Sequence, residues 1–143
     1  MLVNQISVFV ENKSGRLSEI ISHLEKNNIN IRAISIADTT DFGILRMIVD
    51  KPDVAEKVLK DSGHTVKSTQ VIVISVSDKP GGLANALSIL RDAGVAIEYM
   101  YAFLSKPQGE ALVILRVNKE KEAITALQAN NITVVPADVV YTL

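Results

Sequence analysis

Residues from Gln5 to Val10 show a period of two, which predicts a β-strand. Its two faces carry Ile6, Val8 and Val10 on one side and Ser7 and Phe9 on the other. After a polar turn the spacing changes, because from Arg16 onward apolar residues recur at intervals of three and four positions. Those residues are Leu17, Ile20, Ile21 and Leu24. Such a stripe is typical of an amphipathic helix that packs one face on a core, and Asn27 and Asn28 favour its end.

Two β-branched runs follow, at Ile29–Ala37 and Gly43–Val49, and the polar residues Asp38, Thr39, Thr40 and Asp41 between them predict a hairpin loop. A second helix is predicted from Pro52, since proline is favoured in the first turn of a helix. A short strand near residues 65–68 completes the unit. The predicted order is therefore strand, helix, strand, strand, helix, strand.

The same pattern is written a second time along the chain. Residues 5–24 read QISVFVENKSGRLSEIISHL and residues 71–90 read VIVISVSDKPGGLANALSIL, so that Gly15 corresponds to Gly81. The offset of 66 positions becomes 68 after the second hairpin, which is two residues longer than the first. Insertions are tolerated at hairpin tips, so the change of offset agrees with the repeat.

The second half is therefore predicted to repeat the elements of the first. After its first helix, these are strands at Val95–Phe103 and Ala111–Val117, a helix at Glu120–Ala129 and closing strands up to Val140. A βαββαβ order implies a four-stranded antiparallel sheet with both helices on one face, the ferredoxin-like plait. We predict an α+β fold of two such plaits, with domains at residues 1–69 and 70–143.

Composition and charge narrow the class of partner. The 143 residues carry 15 Lys and Arg against 16 Asp and Glu, a net charge of −1 that argues against nucleic acid as a partner. The chain has no cysteine, which excludes disulfides, thiolate metal ligands and thiol catalysis. The N-terminal segment is too short and too polar for a signal peptide or a membrane span, so we expect a cytoplasmic protein without a membrane partner.

The two strand-to-helix turns are the segments that point to ligand chemistry. They comprise Asn12, Lys13, Ser14, Gly15, Arg16 and Leu17 in the first half, and Asp78, Lys79, Pro80, Gly81, Gly82 and Leu83 in the second. A glycine at the start of a helix lets a ligand approach the backbone, and the unpaired amides of the first turn suit a carboxylate. Asn12 or Asp78 could accept a hydrogen bond from an ammonium group beside that carboxylate. The same residue types also cap helices and form turns, which leaves a purely structural role open.

These turns, each followed by an apolar-striped helix and then by N-I-N-I or G-V-A-I, resemble the ACT domain, a small regulatory module that binds amino acids. The resemblance covers essentially the whole chain as two tandem copies, and D-K-P-G-x-L is its most specific element. It implies sheets that lie side by side and an amino-acid effector at the domain interfaces, contacted by the residues of the turns and by the start of the second strand. That strand start is Asn30 here, and its counterpart is Ala96.

The two copies depart from the family pattern in different ways. Ser14 stands where the family and the second copy have proline. Val10 and Val76 stand where many members carry a histidine, which argues against a histidine-assisted ligand contact. Because Asn30 is matched by Ala96, the copies are chemically unequal, and we expect one dominant ligand site built across the two copies.

Other chemistry-bearing residues give no support for catalysis or metal binding. His23 and His64 lie far apart, and neither has a carboxylate or a histidine at ligand spacing, so an exposed or capping role is expected for both. Ser14 and Ser75 lack a nearby His and Asp pattern for nucleophilic activation. We expect no metal and no cofactor.

Tyr99, Tyr101 and Phe103 form a local concentration of aromatic residues on one face of a predicted strand. On a plait they would suit an RNA-binding platform, but the chain lacks the basic balance and the glycine-bounded aromatic signature of that motif. Contact between sheets or subunits is the favoured interpretation, with a ligand-lining role for Tyr99 or Tyr101 as the alternative.

The sequence therefore predicts a non-enzymatic regulatory protein that binds a small amino acid and couples its occupancy to a partner or to its own assembly. The partner could be a separate enzyme chain of amino-acid metabolism, and a homodimer is expected from the exposed sheet edges. One alternative is a structural or oligomerisation module without a functional ligand site. A small enzyme on the same plait is disfavoured because no acid, base or nucleophile cluster is evident.

Overall fold

The computed structural model describes residues 1–38, 41–105 and 107–143. Thr39 and Thr40 of the predicted hairpin loop lie outside the described residues. The chain divides into two compact units. One contains Asn4–Thr69 and Tyr141–Leu143 and is called the first repeat, and the other contains Met1–Val3 and Gln70–Val140 and is called the second repeat.

The elements of the first half follow the predicted βαββαβ order. They are β1 (Val3–Glu11), α1 (Arg16–Lys26), β2 (Ile31–Asp38), β3 (Phe42–Val49), α2 (Pro52–Asp61) and β4 (Val66–Ser77). Strand β3 pairs antiparallel with β1 on one side and with β2 on the other, and Leu45 lies opposite both Val8 and Ile36. The predicted strand at residues 65–68 continues without interruption into the first strand of the next copy as β4.

The second half repeats the order, and the first strand of its hairpin is shorter than that of the first half. Its elements are α3 (Gly82–Asp92), β5 (Ile97–Ala102), β6 (Glu110–Val117), α4 (Glu120–Ala129), β7 (Thr133–Val134) and α5 (Ala137–Tyr141). Strand β6 pairs antiparallel with β4 and with β5, and β7 pairs with β4. The ferredoxin-like plait is confirmed in both halves.

Each repeat has its own apolar core, formed by one sheet face and two helices. In the first repeat the cluster contains Ile6, Val8, Val10, Ile20, Leu24, Ile29, Leu45, Met47, Val49, Ala55 and Leu59. In the second it contains Ile72, Ile74, Val76, Ala86, Leu90, Val95, Val113, Leu115, Val117, Ala123, Leu127 and Val134. Alternate strand residues therefore meet the buried stripes of both helices, which lie on the same sheet face as predicted.

Among the described residues, the four helices of ten or more residues, α1 to α4, end in the same way. Beyond each helix a residue adopts the left-handed conformation, and these residues are Asn28 (φ 55°), Gly63 (φ 90°), Gly94 (φ 71°) and Asn131 (φ 61°). The next amide then donates to a carbonyl five residues earlier, as His64 N–H does to Leu59 O at 3.0 Å. This is the Schellman ending, in which glycine and asparagine tolerate the left-handed position. The residue after it is apolar at Ile29, Val95 and Ile132 but is His64 at the end of α2.

The closing strands predicted up to Val140 are wrong beyond Val134. Strand β7 contains only two residues, and α5 occupies Ala137–Tyr141 instead. Pro136 explains the change, because it has no amide hydrogen for a strand ladder and its fixed φ suits the start of a helix. The Val140 N–H donates to the Pro136 carbonyl at 3.0 Å and closes the first helical turn.

Candidate functional site

Each strand-to-helix turn reaches its helix through a left-handed glycine. Gly15 has φ 84° before α1 and Gly81 has φ 92° before α3, a conformation that side chains disfavour. Neither helix start has a side-chain cap. The Arg16 and Gly82 amides donate to the Lys13 and Lys79 carbonyls at 3.3 Å and 3.1 Å. The next amides of each helix have no intrahelical acceptor and lie at the positive end of the helix dipole.

The second turn depends on glycine at a further position. A Cβ added at Gly82 would overlap the carbonyl oxygen of Ser77, so the backbone of strand β4 and the start of α3 come together too closely for a side chain. Arg16 stands at the corresponding position of the first turn. Both turns therefore reach their helix through a left-handed glycine, but only the second requires a residue without a side chain at the first position of the helix.

Charge distribution also differs between the turns. The Lys13 ammonium lies 3.1 Å from a Glu11 carboxylate oxygen, and the hydrogen bond with the attraction of Lys13 holds the Glu11 pKa below its ordinary value. Ser77 stands at the Glu11 position of the second repeat, so Lys79 has no corresponding carboxylate. Lys79 is therefore the better placed of the two lysines to attract an anionic group.

A cavity of about 510 Å³ lies beside the second turn. Residues of the turn line it, namely Lys79, Pro80, Gly81 and Gly82. Asn85 of α3 and Glu110 at the start of β6 line it as well, together with Ser75, Val76, Ser77, Asn131, Ile132 and Thr133. The cavity thus brings a cation, an anion, an amide side chain and the start of a helix to one volume of small-molecule size.

The first repeat has a cavity of about 280 Å³ in the corresponding place. Most of its wall consists of counterparts of the residues just named, but Lys13, Ser14 and Gly15, the counterparts of Lys79, Pro80 and Gly81, do not line it. The chemistry of the shared positions is changed. Arg16 replaces Gly82, Glu19 replaces Asn85, Phe42 replaces Glu110 and His64 replaces Ile132. The prediction that the copies are chemically unequal extends to these cavities.

The family model for the ACT domain pair matches residues 1–142. The chain belongs to the ACT domain pair family. A crystal structure of protein BT0572 from Bacteroides thetaiotaomicron is similar, with 43% identity and a TM-score of 0.94 over 100% of this chain and 98% of that one. No functionally curated protein matches the sequence.

More distant structures share the fold alone. The regulatory subunit of aspartate kinase from Thermus thermophilus, in a ligand-free form, is 16% identical with a TM-score of 0.68, over 91% of this chain and 94% of that one. The corresponding subunit from Thermus flavus is 14% identical with a TM-score of 0.62, over 90% and 93%. Within the described residues, no helix is both long and apolar enough to cross a membrane.

Several turn residues for which the ACT resemblance implies ligand contact do not line the cavity beside the second turn. Asn12, Lys13 and Leu17 line a smaller cavity of about 170 Å³, while Ser14 is exposed. The Asp78 amide donates to the Gly109 carbonyl at 3.0 Å, and Asp78 does not line the cavity beside its turn. Leu83 packs partly against the core of the second repeat.

Asn30 lies at the opposite end of α1 from the turn of its own repeat. Its amide donates to the Asp50 carboxylate at 2.9 Å, and it lines a cavity of about 400 Å³ with Glu25, Asn28 and Asp50. The Ala96 amide makes the same bond to Asn118 Oδ1 at 2.9 Å. Within the first repeat the structure therefore does not bring Asn30 together with Gly15 and its neighbours.

The aromatic residues of the second hairpin follow the predicted alternation. Tyr99, Tyr101 and Phe103 are half-buried, while Met100 and Leu104 on the alternate positions are exposed. None of the three lines the cavity beside the second turn.

The expectations that His23 and His64 lie far apart, and that neither has a carboxylate or a histidine at ligand spacing, are wrong. Their ring centroids lie 5.9 Å apart at an interplanar angle of 67°, and His23 Nε2 lies 4.0 Å from Glu19 Oε1. Glu19 and His23 are four positions apart on α1, so they share a helix face, and the Schellman ending of α2 brings His64 to the same place. The i, i+4 spacing of Glu19 and His23 was a signal in the sequence, whereas the approach of His64 is a tertiary contact.

Asn85 and Glu110 were also missed as candidate site residues. Asn85 lies in the first turn of α3, three residues after Gly82. Glu110 reaches the cavity because the second hairpin folds back beside the turn, where the Asp78 amide bonds to Gly109. Helical spacing from Gly82 could have suggested Asn85, but no local pattern points to Glu110.

Proposed function

We propose that this ACT domain pair is a non-enzymatic regulatory protein whose principal site for a small amino-acid effector lies beside the second turn. The observation that carries the proposal is the cavity of about 510 Å³, which is lined by Lys79, Glu110 and the start of α3, a helix without a side-chain cap. The described groups match the two charges of an amino-acid backbone. The fold shared with aspartate kinase regulatory subunits supports a regulatory role.

The roles of the lining residues follow from their charge. The effector carboxylate faces the first amides of α3 and the Lys79 ammonium, because both the helix dipole and the cation favour an anion there. The effector ammonium is bound by the Glu110 carboxylate and the Asn85 side-chain oxygen. Gly81 and Gly82 keep side chains away from the backbone, so the carboxylate approaches it directly.

Regulation then follows from linkage between ligand occupancy and assembly. A ligand shifts an equilibrium only by its difference in affinity for the two states. We propose that the occupied form associates differently with a second copy of this chain, as a homodimer, or with a separate enzyme chain of amino-acid metabolism. Neither partner requires chemistry from this chain itself.

A thermal-unfolding screen against the twenty amino acids tests the proposal. A genuine effector at about 100 times its Kd stabilises the folded protein by about 2.7 kcal/mol. For a chain of this size that corresponds to a rise in Tm of about 5–10 °C. Lys79→Ala and Glu110→Gln are expected to remove the rise, and Lys13→Ala, the matched change in the first turn, to preserve it.

The competing function is an assembly module without a ligand, and the same screen separates the two. If no amino acid raises Tm, the cavity is a by-product of the plait and the assembly role is favoured. If Lys13→Ala removes the rise while Lys79→Ala preserves it, the site lies in the first repeat and the assignment of the second turn is wrong.

A further inference from the structure

Glu19, His23 and His64 form a compact cluster of metal-binding side chains in the first repeat. One ring nitrogen of each histidine and one carboxylate oxygen of Glu19 all lie within 4.8 Å of one another. Glu19 and His23 are four residues apart on α1, a spacing that places two ligands on one helix face. His64 comes from the end of α2, so the cluster joins two helices of the same repeat.

One ring nitrogen of the cluster's histidines has no hydrogen-bond partner within the described protein. His64 Nε2 is buried and makes no hydrogen bond there. A buried polar atom ordinarily has a partner, and one without a partner calls for an explanation. A metal ion bound at this nitrogen would satisfy it, because neutral imidazole is a good ligand for divalent transition metals.

One distance in the cluster is already short enough for both of its atoms to contact the same ion. His23 Nε2 and Glu19 Oε1 are 4.0 Å apart, too far for a hydrogen bond. Two ligand atoms that each lie about 2.1 Å from one zinc ion are separated by at most about 4.2 Å. Arg16 contacts the other Glu19 oxygen, Oε2, at 3.3 Å, which leaves Oε1 turned toward the histidine.

The corresponding positions of the second repeat carry residues that serve in packing. The counterparts of His23 and His64 are Ile89 and Ile132, and both pack against the apolar core of that repeat. The counterpart of Glu19 is Asn85. The first repeat therefore has two neighbouring histidines and a carboxylate where the second repeat has two isoleucines and an asparagine.

We propose that Glu19, His23 and His64 bind a divalent transition-metal ion of the zinc, cobalt and nickel class. Two imidazole nitrogens and one carboxylate oxygen supply three ligands, and such three-ligand sites leave a fourth position for water or another small donor. Glu19 and His64 also line the cavity of about 280 Å³, which gives that fourth position access to solvent. This site lies in the first repeat and is independent of the proposed effector site beside the second turn.

Calorimetric titration of the chelator-treated chain, free of any histidine tag, with Zn²⁺ alone tests the site. The chain has two histidines and no cysteine, so no other imidazole or thiolate in its sequence competes for zinc. At about pH 7.5, one ion is expected per chain. Absorption of Co²⁺ in the visible range gives a second readout of inner-sphere binding.

The variants are taken from the second repeat to protect the fold. His23→Ile and His64→Ile introduce the residue that the second repeat has at the corresponding positions, Ile89 and Ile132. Each change is expected to weaken Zn²⁺ binding at least about 10-fold. Glu19→Asn is expected to weaken it as well, while Glu25→Gln on the same helix serves as the control. Far-UV circular dichroism checks that each variant remains folded.

Transfer of the cluster gives the converse test. The triple change Asn85→Glu, Ile89→His and Ile132→His is expected to raise the stoichiometry from one ion to two. The proposal is overturned if the original chain shows no saturable Zn²⁺ binding. It is also overturned if binding survives in the folded double variant His23→Ile, His64→Ile, because the ion would then be held elsewhere.

Discussion

Replacement of Gly82 by alanine tests whether the second turn requires the absence of a side chain. The added Cβ would overlap the Ser77 carbonyl oxygen and lie 3.1 Å from the carbonyl carbon. Both are backbone atoms, which cannot rotate away as a flexible side chain can. The same oxygen accepts the Lys79 N–H at 2.9 Å, so a shift of the turn also disturbs that hydrogen bond.

The magnitude follows from two opposing effects. Forcing extra atoms into a closely packed place destabilises a protein by about 1–3 kcal/mol. Alanine has a better helix propensity than glycine by at most about 1 kcal/mol, and Gly82 is the first residue of α3. We therefore expect Gly82→Ala to lower the free energy of unfolding by about 1–2 kcal/mol.

Arg16→Ala is the matched control, because Arg16 occupies the corresponding position and already carries a Cβ. It removes the exposed ion pair with Glu19, which contributes at most about 0.5 kcal/mol. Urea unfolding followed by far-UV circular dichroism measures both variants, since the chain has no tryptophan for fluorescence. If Gly82→Ala is as stable as Arg16→Ala, the turn relaxes freely and the close approach to Ser77 does not constrain it.

Three further predictions concern packing, backbone conformation and charge. Leu59→Ala and Leu127→Ala, at corresponding fully buried positions, should each destabilise by about 2–5 kcal/mol in urea unfolding, and a loss below about 1 kcal/mol at either would contradict its place in a core. Asn28→Val should destabilise by about 1–2 kcal/mol because Asn28 is left-handed, whereas Asn28→Gly should not, and equal midpoints for the two would refute the reason given. Lys13→Ala should raise the Glu11 pKa in an NMR titration. The native ion pair stabilises the protein above the ordinary carboxyl pKa, and this stabilisation is lost as the pH falls through the lowered pKa of Glu11. An unchanged Glu11 pKa in the variant would show that another group lowers it.

The elements were predictable where periodicity is local. Helix α4 begins at Glu120 and ends at Ala129 as predicted, because a 3.6-residue stripe and the residues that end helices act within one segment. The alternation in β1 likewise predicted the burial of Ile6, Val8 and Val10. At the other end of the chain, Pro136 overrode the β-branched residues that follow it and produced α5.

The site was predictable only as far as its residues are consecutive. The turn from Asp78 to Leu83 was predicted from a single motif, and its four central residues line the cavity, whereas Asp78 and Leu83 do not. Glu110 and His64 arrive from other elements, so their positions depend on how the hairpin and α2 pack. A comparison of the two repeats could have indicated His64, because it is a polar residue at the position where the second repeat has the apolar Ile132.

An NMR titration of the ¹⁵N-labelled chain with the amino acid that most raises Tm tests the central claim most directly. The effector carboxylate is expected at the start of α3, so saturable amide shifts should concentrate at residues 79–85 and at Glu110. Corresponding residues 13–19 should move less, because the chemistry of that turn differs. Amide shifts that are absent for all twenty amino acids, or that concentrate away from the second turn, would contradict the proposed site.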